Sequence, residues 1–572
     1  MAEQQQQPSN QPRITVDGRP LPDEVARALI TAVVDDSLRL PDLFRLTFRD
    51  PGRSVLAAAG FKIGAAVEIV MISEAAPGGE PLLKGEVTAL EAEVDPGGTR
   101  TTVRGYDKSH RLFRGRITES YTNVTYADVA RRVAQRAGLE AGQIDQTQTV
   151  QPHVSQGNLT DWRFLELMAE EVGFEVAVRD GKLDFRRPVE AGTGPADGAL
   201  DTQDPLQLVL GSNLLRLRAA VTAAEQVKQV DVRGWDPTAK RALVGSAPAA
   251  TRSAELPVTP AGLAGTFGGP TFTGTDIPYR TQPEVDAAAR SIADQIAGAF
   301  AELDGAARGN PRLRAGAAVS LSLVGEPFDG KYILSATRHV YDPEAGYTTD
   351  FTVSGRQERS LHGLARGAAN GSGHLPGVFP AQVTDVRDPE GRVKLKFPWL
   401  SDKYVSDWTR TVQPGAGSKR GAVVLPEVND EVLVAFEQGD LRRPYVLGGL
   451  YNGVDKALLG DKLVDGSTGA VRRRGFVSKK GHLLVFFDDD ADQGVAIITG
   501  DKGMRVALNT TKKTVRIVSS GKVEVEASTD VKVKAGGSCS VEATGSLTLK
   551  GASVKLEASG AVEVSGKPIK LN

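Results

Sequence analysis

The sequence predicts a mainly β, multidomain protein that ends in a shaft of very short repeated strands. Three observations carry this expectation. The chain has 572 residues, which corresponds to about three to five domains at roughly 150 residues each. Its 63 glycines and 31 prolines, with only 6% aromatic residues, give many turns and few large core anchors, which suits β-rich modules better than one large α/β core. From Val515 onward, pairs of apolar residues two positions apart recur at nearly constant intervals.

Composition also narrows function. The 69 Lys+Arg against 71 Asp+Glu leave a net charge of -2, with no basic excess for nucleic-acid phosphates or anionic membranes. Cys539 is the only cysteine, so neither an intrachain disulfide nor a cysteine zinc cage can form within one chain. The opening MAEQQQQPSNQP lacks the basic and apolar regions of a secretory signal, and no run of about 18 apolar residues follows. Cytoplasmic synthesis and assembly without a signal peptide is the expectation, with any exit from the cell by another route.

The first unit, residues 13–190, reads as strands followed by two short helices. Thr125 and Asp128 form a capping box, Val129, Ala130, Val133 and Ala137 line one face, and Gly138 ends the helix. Thr160 caps a second helix with Phe164, Leu165, Met168 and Val172 inward and Gly173 as its left-handed exit. Trp162 and Met168 belong to the core, not to a cofactor box. After the Gly/Pro/Asp-rich stretch Glu190–Pro205, a second β-rich unit spans residues 205–360. Its one helix follows the Thr281/Glu284 capping box and carries Val285, Ala288, Ala289, Ile292, Ile296 and Phe300 at helical spacing. Ser246–Thr275, rich in Ala, Pro, Thr and Gly, reads as a long surface loop.

Ala365–Pro376 reads as a linker. Residues 377–452 form a compact third module, with alternation at Val393, Leu395, Phe397 and at Val432, Val434, Phe436; short strands and glycine turns point to a small β-barrel such as an OB-fold. Gly453–Arg474 is a second linker, too short for a catalytic domain.

The last segment, 475–572, carries the strongest signal. Apolar pairs fall at Val515/Ile517, Val523/Val525, Val531/Val533, Cys539/Val541, Leu547/Leu549, Val554/Leu556, Val562/Val564 and Ile569/Leu571, in steps of 8, 8, 8, 8, 7, 8 and 7 residues. A disordered tail would not hold this phase, and the period suits a three-residue strand, a turn and another strand. Each repeat supplies only two inward side chains, so one chain cannot enclose a core. Three identical chains wrapped around a shared axis can. Glu524 and Glu526 in one repeat are followed by Lys532 and Lys534 at the same positions in the next, an outward charge alternation between layers about 5 Å apart.

In order along the chain come GYDKSHRLFRG (Gly105–Gly115), TYADVARRVAQRAG, LTDWRFLELMAEEVGFEVAVRDGKLDF (Leu159–Phe185), VRGWDP (Val232–Pro237), FDGKYILSATRHVYDPEAGYTTDFTV (Phe328–Val353), GRVKLKFPW (Gly391–Trp399), WTR (Trp408–Arg410), LPEVNDEVLVAFEQGD (Leu425–Asp440) and RRPYVLGGLYN (Arg442–Asn452). With the terminal repeat, this series resembles the VgrG spike family of contractile injection systems and the baseplate-hub and central-spike proteins of contractile-tailed phages. The resemblance implies two tube-like hub β-barrels with short helices, an OB-fold and a C-terminal triple-stranded β-helix needle in a homotrimer. It implies that the six barrels of three chains match a hexameric inner tube, and that inner-tube, tube-initiator and baseplate proteins are partners, with possible separate effectors. The trimer core would comprise Val515, Ile517, Val523, Val525, Val531, Val533, Val541, Leu547, Leu549, Val554, Leu556, Val562 and Val564. A PAAR-type tip protein would dock on Pro568, Ile569, Leu571 and Asn572 of the ending GKPIKLN.

Enzyme signatures are missing from the sequence. No serine has glycine at both -2 and +2, and the P-loop and His-Glu-x-x-His motifs are absent. The six histidines, His110, His153, His339, His362, His374 and His482, do not share helix-turn spacing. No cofactor and no metal is expected, and the chain reads as non-enzymatic. Asp488, Asp490 and Asp492 imitate the start of a calcium loop, but glycine is displaced to Gly494 and the twelfth position is Thr499; an acidic hairpin turn between Leu483–Phe487 and Val495–Thr499 is the reading adopted. Arg472, Arg473 and Arg474 with Lys479 and Lys480 form a basic patch without interleaved aromatics, read as solvated linker. A toxin or lysozyme-like domain is expected neither between 453 and 474 nor after Asn572. The rival function is a trimeric β-helical fibre or adhesin binding a surface carbohydrate, which would require a terminal head.

Overall fold

The structure is a computed structural model and describes residues 10–196, 204–355, 375–459 and 463–570. The linker stretch 365–374, with His374, lies outside the described residues, as does His362. The chain divides into two compact units, Met1–Asn452 and Gly453–Asn572.

In the first unit, Leu43–Arg49 shows how the main sheet is built: Phe44, Leu46 and Phe48 are fully buried, whereas Arg45 and Arg49 face water, the period-two pattern of a half-buried strand. Their apolar face packs on Ile14, Val16, Val67, Ile69, Met71 and Val103. The sheet has eleven strands, in the order Leu214–Val221, Ala301–Arg308, Gly346–Val353, Ala336–Asp342, Leu29–Ser37, Leu43–Arg49, Gly98–Asp107, Ala76–Asp95, Ala66–Ser73, Gln11–Val16 and Arg19–Pro20. Its central seam is antiparallel pairing of Ala32–Ser37 with Ala336–Tyr341. Strands of the first and second β-rich stretches thus share one hydrogen-bonded sheet. Gly105 is required within it, since a Cβ would come within 2.1 Å of the Glu86 carbonyl oxygen and 2.4 Å of Phe44 Cε1.

The helices form where their caps predict. Thr125 Oγ1 accepts from the Asp128 N–H (3.2 Å) and Asp128 accepts in return from the Thr125 N–H (3.1 Å), opening Tyr126–Ala137, which closes on left-handed Gly138. Thr160 caps Asp161–Val172, and Gly173 ends it at φ 72°. The Thr281/Glu284 box starts Gln282–Gly298. Trp162 stacks on Phe113 at 4.8 Å and donates its indole N–H to Glu166 (2.6 Å), a core role. The Ser246–Thr275 expectation is corrected: this stretch contains the end of strand Arg241–Pro248, then Ala254–Glu255, a helix at Pro260–Thr266 and strand Thr271–Gly274. Thr259 accepts from the Gly262 N–H and Pro260 occupies the first helical turn, local start signals that outweigh the loop-like composition.

The third module is a five-stranded sheet ordered Lys394–Lys396, Val378–Asp385, Glu431–Phe436, Pro444–Gly449 and Arg410–Thr411. Both alternating triplets point inward, with Val393, Leu395, Phe397, Val432, Val434 and Phe436 buried around Tyr404. The second unit holds a meander of Arg473–Val477, Leu483–Asp489, Asp492–Ile498, Met504–Asn509 and Thr514–Ser519. The acidic hairpin forms as read, with Asp488 opposite Gln493 and Asp489 opposite Asp492. From 520 to 570 the chain runs extended, with bends at 528–529, 536–537, 544–545, 551–552, 559–560 and 567–568, and no intrachain strand is formed among these described residues. The repeat therefore exists as geometry in a single chain, without a hydrogen-bonding partner.

Beside the central seam lies a buried charge cluster. Arg314 Nε donates to Asp36, the Ala315 N–H donates to the same oxygen (3.2 Å), and Arg314 Nη1 donates to the Pro81 carbonyl (3.0 Å). Arg314 also lies 3.8 Å from Asp42. Burial would raise Asp36, but Arg314 outweighs it and holds this carboxyl below its usual value. Burial raises Asp107 to about 7, despite hydrogen bonds from Ser109. Burial pushes His339 down to about 3, so it is a neutral core group, with Nδ1 2.8 Å from the Tyr347 hydroxyl. For Asp107 the folded state holds a proton that the unfolded chain releases near the ordinary aspartate value, so its contribution to stability falls as pH rises from about 4 to 7. Asp107→Asn is expected to be more stable than the parent by about 1 kcal/mol or more at pH 8 and nearly equal to it at pH 4, as read by urea unfolding at both pH values.

Candidate functional site

Two surfaces stand out as candidates: the junction of the third module with the rest of the first unit, and an exposed apolar face of the second unit. The first is the joint between the third module and the body of the first unit. Arg442, its side chain only 23% exposed, donates to Asp440 (2.9 Å) and reaches Glu171 on the Asp161–Val172 helix (3.0 Å). Burial opposes its charge, yet Glu171 and Asp440 hold its pKa well above the usual range. Burial likewise disfavours the Asp440 carboxylate, and Arg442 outweighs it, keeping its pKa low. Around this centre Arg280 pairs with Glu437 (2.9 Å), His153 Nε2 lies 3.0 Å from the Val405 carbonyl, and the Ser155 and Tyr404 hydroxyls are 2.8 Å apart. The module is thus held at three points: the Asp161–Val172 helix, the Gln151–Leu159 strand, and Arg280 just ahead of the Gln282–Gly298 helix.

In the second unit, cross-strand register places Phe476, Leu484, Ile497, Val506 and Ile517 in one row, and Phe486, Val495, Leu508 and Val515 in the next. Both rows lie on the same face, and most of their side chains are exposed: Phe476 62%, Ile497 61%, Ile517 64% and Val515 70%. Soluble monomers rarely leave such a contiguous apolar face uncovered. The same state continues down the repeat. Val523, Val525, Val531, Val533, Val541, Leu547, Leu549, Val554, Leu556, Val562 and Val564 are each between 56 and 79% exposed, and Cys539 is exposed and free. The structure brings Val515 and Ile517 into the meander's last strand and places the remaining repeat residues on extended segments, with no intrachain core formed around them. Pro568 and Ile569 sit at the last bend, Ile569 being 49% exposed; Leu571 and Asn572 lie outside the described residues. The apolar face begins well before Val515, and its signal was present in the spacing of Leu484/Phe486, Val495/Ile497 and Val506/Leu508.

The two charged motifs of this unit face each other. Arg474 donates to Asp488 (2.6 Å), Arg472 to Asp489 (3.1 Å) and to Asp465, and Lys512 reaches Asp492 (3.0 Å). Arg472 and Arg474 of the basic patch thus pair with Asp489 and Asp488 of the acidic hairpin. Sequence reasoning missed the Arg442 joint altogether, because its acidic partner Glu171 is distant in sequence.

Comparison with known proteins places this architecture. Residues 379–451 match the type VI secretion system/phage-baseplate injector OB domain, and residues 56–342, half of the chain, match the Alg8 N-terminal domain. The chain is 33% identical over 121 residues to the type VI secretion system spike protein VgrG3 of Vibrio cholerae serotype O1, covering 20% of this chain and 12% of that one. It is 39% identical over 69 residues to the spike protein VgrG1c of Pseudomonas aeruginosa, 11% of this chain and 10% of the relative. The matched segments thus span only about a tenth of these relatives' lengths. A chain of the Francisella PdpA–VgrG complex, in its half-lidded form, shares the fold at TM-score 0.53 and 9% identity, over 90% of this chain and 88% of that one. The chain belongs to the family defined by the Alg8 N-terminal domain, and its injector OB domain and curated relatives identify it as a VgrG-family spike protein.

Removal of the joint's central cation tests its weight. Arg442→Met leaves Glu171 and Asp440 facing each other without their counterion, and is expected to destabilise the first unit by about 2–4 kcal/mol in denaturant unfolding. Arg290→Met, on an exposed helix position, is expected to change stability by less than about 0.5 kcal/mol.

Proposed function

We propose that this spike is the non-enzymatic central hub and needle of a contractile injection system, assembled as a homotrimer. The observation that carries the reading is the apolar series from Phe476 to Val564, which is exposed in one chain and recurs, from Val515 on, at steps of seven or eight residues. Burying these side chains among three copies removes their apolar surface from water, at roughly 25 cal/mol per Å². Intertwining also gives the extended segments the backbone partners they lack, and leaves no strand edge to template aggregation. In this reading the eleven-stranded sheet and its neighbours form the hub barrels that adapt a hexameric inner tube to threefold symmetry. The OB module transmits load from hub to needle through the Arg442 joint, and Pro568, Ile569, Leu571 and Asn572 seat a PAAR-type tip protein. Baseplate and tube-initiator proteins are its partners, separate effectors ride with it, and assembly takes place in the cytoplasm. Its work is mechanical: sheath force is concentrated on a narrow, dry-cored rod that breaches a target envelope.

Light scattering decides the central claim. The full chain is expected at three times 60.6 kDa, about 182 kDa, and a chain stopped at Asn452 is expected to lose or weaken the trimer. A monomeric full chain at micromolar concentration would contradict the shared-axis reading. Val531→Asp places three carboxylates on that axis, at several kcal/mol for each buried charge, and is expected to abolish needle assembly.

A further inference from the structure

The first unit contains a cleft of about 440 Å³ that the spike reading does not use, lined by Ile63, Glu86, Val87, His110, Arg111 and Arg114 among others. That volume lies in the range of small-ligand sites. Its charges are ordered by a chain of hydrogen bonds. Glu86 is shared between Arg111, which donates to both carboxylate oxygens, and His110, whose Nε2 lies 3.1 Å away. Arg111 is therefore neutralised in place. Burial lowers the pKa of His110, so the ring is neutral; with Nε2–H donated to Glu86, its Nδ1 is left as an acceptor. Arg114 Nη2 donates to that Nδ1 at 2.9 Å. The relay holds the exposed Arg114 at one Nη2–H, and its other N–H groups make no hydrogen bond among the described residues. Among the described residues no carboxylate pairs with Arg114, so it is the uncompensated charge of the lining. The same cleft is lined by apolar Val87, which is buried, and Ile63, which is 62% exposed.

We propose that this cleft binds an acidic side chain of a partner polypeptide, with the carboxylate gripped by Arg114 and the methylene stem against Ile63 and Val87. A guanidinium held at one N–H keeps a planar fork for two parallel hydrogen bonds to a planar carboxylate. An apolar wall beside it favours a carboxylate on a short hydrocarbon stem over a free inorganic anion. Glu86 and His110 are positioning residues, since they act through Arg114. The inference concerns a site on the first unit and does not depend on the trimer.

Saturation-transfer NMR on the full chain tests it, with N-acetyl-glutamate N-methylamide as the probe. Saturable transfer to the β and γ methylenes is expected, weakened at least about tenfold in Arg114→Gln, the loss of a charge-assisted hydrogen bond. Ile63→Asp, an exposed change that puts a like charge on the wall, is expected to weaken binding as well, and Arg290→Gln to leave it unchanged. Equal binding in Arg114→Gln, equal binding of the glutamine analogue, or equally effective competition by inorganic phosphate would each overturn the proposal.

Discussion

A strand of three residues cannot enclose a core, and the exposed apolar series of the terminal repeat follows from that constraint. With two inward side chains per repeat, the segment from Val523 to Val564 has nowhere within its own chain to bury them. The preceding meander has the same property on a larger scale, because its two apolar rows share one face with no layer packed over it. In most proteins such a surface would be an aggregation hazard. Here the regular bends every seven or eight residues keep each exposed apolar pair in phase with the next.

Rigidity upstream is obtained by a different device, buried charge satisfied locally. At the central seam, Arg314 answers Asp36 and hydrogen-bonds the Pro81 carbonyl, reinforcing a backbone pairing between Leu29–Ser37 and Ala336–Asp342. At the junction with the third module, Arg442 answers Asp440 and Glu171. Breaking either arrangement leaves charges in a poorly solvated place, so each resists small displacements more sharply than apolar contact alone would.

Much of this was legible in the residues. The capping boxes at Thr125 and Thr281, the left-handed exits at Gly138 and Gly173, and the inward triplets of the third module are local patterns, and local patterns fix local structure. The helix at Pro260–Thr266 shows the limit of composition: Ala, Gly and Thr suggested a loop, while one capping threonine and one proline at the start decided otherwise. Arg442 was invisible as a joint, since its partner Glu171 is hundreds of positions away and no spacing rule connects them. The acidic hairpin and the basic patch were each readable, but their pairing was not.

The sequence by itself determined the mainly β character, the repeat period and the absence of familiar catalytic motifs, because periodicity and short motifs depend only on neighbours along the chain. Only the tertiary structure decided that the first two β-rich stretches share one sheet, that the apolar face begins at Phe476, and that Arg114 stands uncompensated beside a cleft. Those outcomes depend on which distant strands pair and which charges meet, and long-range pairing is set by three-dimensional packing that no single stretch of sequence encodes.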